Sequence, residues 1–162
     1  MKNCYEIGAS SQFNALSPRR MHNILVVEDN PSDIELLRYF MRSSAETVNL
    51  TIAGDGVEAL RMLRGQDPYN TPLHPCLILL DLNLPRKDGR EVLAELKQDP
   101  TLMHIPVVVL STSDAMRDVT QAYELHANCY LQKPASAKEY EETIRGIRTF
   151  WLSLAKLPPT AP

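Results

Sequence analysis

Runs of aliphatic residues without polar interruption alternate along this chain with segments whose apolar positions recur every third or fourth residue. The first kind predicts strands covered on both faces, the second amphipathic helices. Leu77-Ile78-Leu79-Leu80 is the clearest strand, and it ends abruptly on a carboxylate, Asp81. Asn83, Pro85 and the pair Asp88-Gly89 then impose a loop, and Gly89 opens the next helical pattern. Asn23-Ile24-Leu25-Val26-Val27 behaves alike and ends on Glu28-Asp29. Asn30-Pro31-Ser32-Asp33 is a helix entry, with proline and acid in the first turn. Ile34, Leu37, Phe40 and Met41 give that helix one apolar face.

Val48, Leu50 and Ile52 alternate with other residues, as in a strand covered more on one side. Gly54-Asp55-Gly56 predicts a turn, and Ala59, Leu60 and Leu63 mark the next helix. Pro68, Pro72 and Pro75 make residues 65–75 a long irregular connection, suited to a partner contact or to an insertion. Beyond Asp81, Val92, Leu93 and Leu96 predict a short helix stopped near Asp99-Pro100. Ile105 to Leu110 predicts a buried strand that ends in Ser111-Thr112-Ser113. Residues 114–126 predict a weaker helix with Met116, Val119 and Tyr123 as its apolar contacts. Cys129-Tyr130-Leu131 is a short strand ending at Gln132-Lys133-Pro134. The last helix runs from Ser136 to near Lys156, with Tyr140, Ile144, Ile147, Trp151 and Leu154 along one stripe.

This alternation predicts an α/β fold: a doubly wound, five-stranded parallel sheet with five helices on its two faces. Residues 1–21 lack sustained periodicity and read as an N-terminal arm, 22–157 as the folded domain with an extended C-terminal helix, and 158–162 as a tail. A chain of 162 residues, 44% hydrophobic and 23% charged, suits one domain with a real core. A net charge of -3 without a basic run argues against nucleic acid. No apolar run has the length of a membrane span, and no continuous apolar leader opens the chain, so a cytoplasmic protein is expected. Cys4, Cys76 and Cys129 read as free thiols, and the histidines lack the spacing of a zinc site.

In open parallel sheets ligands bind beyond the carboxyl ends of the strands. There the polar residues converge: Glu28 and Asp29 after the first strand, Asp81 after the third, Ser111 at the fourth and Lys133 after the fifth. A lone aspartate at such a place would merely start a turn. Carboxylates about 4 Å apart near a protein surface repel by roughly 4 kcal/mol per pair, so a cation or a proton must offset them. Hard oxygen ligands suit Mg2+, which is typically shared with a phosphate. Lys133 adds a fixed positive charge and Ser111 a hydroxyl donor. The set is suited to accepting a phosphoryl group on Asp81, with the metal and Lys133 stabilising its oxygens.

Glu28-Asp29, Asp81 with Pro85 and Asp88-Gly89, Ser111, and Lys133-Pro134, in that order, resemble a two-component response-regulator receiver domain over roughly residues 22–150. The resemblance implies the flavodoxin-like strand order 2-1-3-4-5 and a sensor histidine kinase whose phosphohistidine is the donor to Asp81. It implies Asp29 and Asp81 as direct Mg2+ ligands, Glu28 holding the metal through water, and the carbonyl of Asn83 as a backbone ligand. Ser111 and Tyr130 resemble the family's hydroxyl and aromatic switch, and Lys133-Pro134 its usually cis peptide. The family is not one of enzymes but of phosphoacceptors that assist their own phosphorylation and dephosphorylation. The wording from Asp81 to Gly89, the proline-bearing loop and the absence of an output domain are similar to the single-domain regulators of cyanobacterial phytochrome kinases, which implies light as the input.

A homodimer through the fourth helix, fifth strand and fifth helix is also implied. Phe150, Trp151, Leu152, Leu154 and Leu157 exceed what one core-facing stripe needs, which agrees with a contact there. Two other readings stand beside the receiver. One is a docking module that keeps the fold without phosphorylation. The other is a haloacid-dehalogenase-like phosphatase, which also forms an aspartyl phosphate but wants a second aspartate where Asn83 stands.

Overall fold

The aliphatic runs form five parallel strands, β1 (Met21–Val27), β2 (Thr47–Ala53), β3 (Leu77–Leu80), β4 (Val107–Ser111) and β5 (Cys129–Gln132), in the order β2-β1-β3-β4-β5. The computed structural model describes residues 21–42 and 47–159. The arm apart from Met21, Cys4 and the end of the tail lie outside the described residues. Helices α1 (Pro31–Arg42), α2 (Gly56–Arg64), α3 (Gly89–Gln98), α4 (Met116–Glu124) and α5 (Ala137–Ile147) connect or follow the strands, and α5 continues as a π-helical segment, Arg148–Leu154.

Strand side chains alternate between two cores. Ile24, Val26, Leu77, Leu79, Val108 and Leu110 pack with α1 and α5, through Leu37, Met41, Tyr140, Ile144 and Ile147. Leu25, Val27, Ile78, Leu80, Val107 and Val109 pack with α2, α3 and α4 on the other face. Each fully buried aliphatic side chain contributes about 1.5–3 kcal/mol, so a strand without a polar face is fixed from both sides. The edge strands β2 and β5 are only partly buried.

Local chemistry sets where the helices begin. Asn30 Oδ1 accepts the Ser32 amide at 2.9 Å, and Pro31 fills the first helical position of α1. Asp55 caps α2 through the amides of Val57 and Glu58, and α2 ends on Gly65, whose φ of 61° suits a residue without Cβ. Asp88 and Glu91 form a capping box at α3. The predicted irregular connection at 65–75 is tied back to α2, with Leu73 N–H donating to Met62 O at 2.8 Å and Tyr69 Oη donating to Glu58 Oε1 at 2.8 Å.

Three expectations need correction. Met116 and Tyr123 are not core contacts of α4; they are 74% and 50% exposed, while Asp118 and Ala122 are buried. The buried pair lies one residue, about 100°, from the predicted stripe of Val119 and Tyr123, because small Ala122 meets the sheet. The stripe of the last helix also breaks. Ala155 N–H donates to Phe150 O, five residues back, and this wider turn shifts the phase so that Leu152 is buried and Leu154 is 72% exposed. Trp151 and Leu157 pack partly buried against the core. Finally, Lys133-Pro134 is trans; the cis bond among the described residues joins Asp67 and Pro68.

The ladder continues one residue past three strand ends. Glu28 N–H donates to Ala53 O at 3.0 Å, Asp81 N–H to Val27 O at 3.0 Å and Lys133 N–H to Ser111 O at 2.7 Å. These bonds fix the polar residues as firmly as the strands they follow. Gly89 adds a second constraint, since a methyl group on it would run into the Asp81 carbonyl oxygen and Leu82 Cα. Gly89→Ala is expected to cost about 1–3 kcal/mol through overpacking. Urea denaturation measures this, and an unchanged midpoint would show that the loop yields freely.

Candidate functional site

Lys133 Nζ lies 2.5 Å from Glu28 Oε2, 2.6 Å from Asp81 Oδ2 and 2.8 Å from Asp33 Oδ2. An ammonium has three N–H donors, and each has a carboxylate. The second oxygens are also engaged: Glu28 Oε1 accepts the Asn30 amide and Asp81 Oδ1 the Asn83 amide, both at 3.0 Å. Glu28, Asp81 and Lys133 are buried, so these are charge-assisted bonds largely out of water. Burial alone would lower the pKa of Lys133, but hydrogen bonds to Asp33, Asp81 and Glu28 outweigh it and hold the ammonium above the ordinary lysine range. Burial pushes the Glu28 carboxyl up, against the pull of Lys133.

Asp33 was not among the predicted site residues; it figured only as an acid of the helix entry. A signal for it exists, because Asp33 lies four residues before Leu37, which is buried, and so shares the inward face of α1. Tyr140 of α5 was read only as part of an apolar stripe. Its hydroxyl is buried without a hydrogen-bond partner among the described residues, and burial followed by the negative charge of Asp33 raises its pKa.

Asp29 and Asn83 follow the ends of the neighbouring strands β1 and β3 and are exposed. Neither the Asp29 carboxylate nor the Asn83 carbonyl has a hydrogen-bond partner among the described residues. Together with Asp81 and Glu28 they form a hard-oxygen donor set whose chemistry fits a divalent cation. No three acidic, histidine or cysteine side chains among the described residues converge as a ready-made metal cluster. Lys133 stands where the carboxylates meet. The described thiols, Cys76 and Cys129, are elsewhere, Cys76 Sγ lying 3.9 Å from His22 Nδ1 near the opposite ends of the strands.

Ser111 is buried at the end of β4, and its Oγ accepts the Ser113 amide at 3.3 Å. Tyr130 on β5 is half-buried, and its hydroxyl donates to the Ser113 carbonyl at 2.8 Å. Arg86, in a left-handed conformation with φ 65°, pairs with Asp55 and ties the loop bearing Asn83 to the start of α2. The predicted residues thus form two contact groups: Glu28 and Asp81 joined at Lys133, with Asn83 tied on by its amide, and Ser111 with Tyr130 joined through Ser113, while Asp29 stands exposed after Glu28.

A family model described as the response regulator receiver domain matches residues 24–145. Response regulator Rcp1 of Synechocystis sp. is 49% identical over 135 residues, covering 83% of this chain and 92% of that protein. The crystal structure of the Mn2+-bound form of Rcp1 superposes with a TM-score of 0.82 at 48% identity, covering 85% of this chain and 99% of the other. That of the phosphorylated cyanobacterial phytochrome response regulator RcpA superposes with a TM-score of 0.84 at 48% identity, covering 86% and 100%.

Removing Lys133 would leave its carboxylates buried and uncompensated. Lys133→Met is expected to lose about 3–5 kcal/mol at pH 7. Burial already raises the Glu28 carboxyl, and without the pull of Lys133 it lies further above its unfolded value, so this stability is present at low pH and lost as pH rises through the folded value. Denaturation at pH 5 and pH 7 should therefore show the deficit shrinking toward pH 5. A deficit that is equal at both values would disprove the charge explanation.

Proposed function

This chain belongs to the response regulator receiver family, and from that membership we propose that it accepts a phosphoryl group on Asp81 from a sensor histidine kinase. The observation that supports this most directly is the contact of Lys133 Nζ with Asp81 Oδ2 at the end of β3. An Asp81 oxygen forms the new P–O bond while the P–N bond of the phosphohistidine breaks and leaves its electron pair on the imidazole. The phosphoryl group carries about two negative charges, and because the carboxylate charge of Asp81 is used in the new bond, the site gains about one. Lys133 then turns an N–H from Glu28 or Asp33 toward a phosphoryl oxygen, and Ser111 turns its hydroxyl the same way.

In this reading Asp29, Asp81 and the Asn83 carbonyl, with Glu28 acting through water, would hold a divalent cation, Mg2+, which would neutralise charge on the transferring group. The Mn2+-bound form of Rcp1 and the phosphorylated form of RcpA support these assignments by similarity. The same likeness supports a phytochrome as the kinase and light as the input. No helix among the described residues is long and apolar enough to cross a membrane, and a cytoplasmic encounter with the kinase fits the reading. The outgoing signal is a change in the face formed by α4, β5 and α5, where Tyr130 stands.

Incubation with Mg2+ and acetyl phosphate, followed by intact mass, is expected to add one phosphoryl group to the parent protein and none to Asp81→Asn. A parent that stays unlabelled where a control receiver is labelled would favour a docking module.

The same face is proposed to pair with a second copy of the chain. Phe150 and Leu154, at 54% and 72% exposure, are the apolar residues left uncovered beyond α5, whereas Trp151, Leu152 and Leu157 serve this protein's own core. Phe150→Ala with Leu154→Ala is expected to raise the monomer fraction in sedimentation severalfold. An unaltered distribution would remove these residues from the interface.

A further inference from the structure

A chain of polar contacts runs from the start of α3 to β5, and Ser113 is its centre. Arg90, in the first turn of α3, places Nη1 3.2 Å from Asp88 Oδ2 and Nη2 2.9 Å from Asp118 Oδ1. Ser113 Oγ donates to the other Asp118 oxygen at 2.6 Å. The Ser113 amide donates to Ser111 Oγ at 3.3 Å, and its carbonyl accepts from Tyr130 Oη at 2.8 Å. One residue thus joins an ion pair, the Ser111 hydroxyl and the Tyr130 ring.

Beyond these contacts, the Ala115 amide donates to Ser113 Oγ at 3.3 Å, and few side chains of this segment are buried. On α4 only Asp118 and Ala122 are buried, and its N-cap, Ala115, has no capping side chain. Segments with few buried contacts shift at low cost, so the polar contacts there decide where they rest. The side chains of Arg90 and Asp118 are 20% and 13% exposed, which limits screening of their attraction.

We propose that the Arg90–Asp118 ion pair positions the phosphoryl-accepting site: by holding Ser113 it fixes where Ser111 and Tyr130 stand. The inference rests on the receiver reading for the roles of those two residues. Arg90 and Asp118 touch no reacting atom and are positioning residues. With the pair intact, Ser111 needs only to rotate its hydroxyl off the Ser113 amide to reach a phosphoryl oxygen. With the pair cut, the connection samples other positions and the Ser111 hydroxyl is correctly aimed in a fraction of molecules, which lowers the observed rate by that fraction.

The test uses Arg90→Met, Asp118→Ala and their combination. Each single change is expected to slow phosphorylation by acetyl phosphate with Mg2+ roughly three- to tenfold, the size of one lost hydrogen bond. The double change should slow it no further, because both remove one interaction. Arg90→Lys, which keeps the charge, is expected to restore most of the rate. In the unphosphorylated protein, a fluorotyrosine resonance assigned to Tyr130 by Tyr130→Phe should move in both single variants. Asp118→Asn replaces Asp118→Ala where the latter does not fold. A Tyr130 resonance that stays in place in folded variants, or rate losses that add in the double variant, would overturn the proposal. A parent that accepts no phosphoryl group would sink the receiver reading instead, and the resonance alone would then decide whether the ion pair holds Tyr130.

Discussion

Lys133 divides its three donors among carboxylates at the ends of β1 and β3 and in α1, and this one ammonium offsets the buried charges of Glu28 and Asp81. Unshielded, carboxylates at such separations repel by several kcal/mol, enough to consume a large part of a domain's net stability. The register of the sheet delivers them to this point. Glu28, Asp81 and Lys133 each continue a strand ladder by one hydrogen bond, so the polar cluster inherits the order of the two cores beneath it. Gly89 completes the delivery by letting α3 start against the Asp81 backbone.

What could be read in the sequence follows from this dependence. Strands buried on both faces have no polar interruption, so Leu77 to Leu80 and Ile24 to Val27 announce themselves, and the first polar residue after each marks the functional edge. Glu28 and Asp81 were legible for that reason, whereas Lys133 follows the partly buried edge strand β5 and was legible through its place in the receiver-like order of motifs. Asp33 was harder, because it reaches the cluster from the side of a helix, where an acid in the first turn already has a sufficient explanation in the helix dipole. Apolar spacing failed where size mattered more than hydrophobicity. Ala122 lets α4 approach the sheet, whereas Met116 and Tyr123 are too large to follow it and stay half or mostly in solvent. It failed again past Ile147, because a fixed helical period cannot anticipate a π turn.

The two polar groups of the site differ in how tightly they are held. The Lys133 cluster is buried at strand ends, whereas the Ser111 hydroxyl and the Tyr130 ring, although their backbones belong to β4 and β5, are aimed by a connection whose own anchors are an ion pair and a serine. Ser111 belongs to both. Its backbone carbonyl accepts the Lys133 amide, and its hydroxyl accepts the amide of Ser113. A shift of charge at the cluster and a shift of the connection therefore meet in one residue.

This contrast says where a charge added at Asp81 would be felt. The helices that border the site are anchored unequally. α2 is capped at both ends and buries five of its residues, and α3 has a capping box and buries four. α4 has no side-chain cap and buries two. In the proposed phosphorylation, new negative charge would draw on the donors within reach, Lys133 and the Ser111 hydroxyl, and the rearrangement would run toward the element that resists least. That element is α4 with the edge strand β5 beside it, to which it is joined by the Tyr123 hydroxyl accepting the Tyr130 amide at 3.3 Å. The weak anchoring of α4 is thus the physical basis for reading its surface as the signalling face: a helix held like α2 would absorb the same charge without moving.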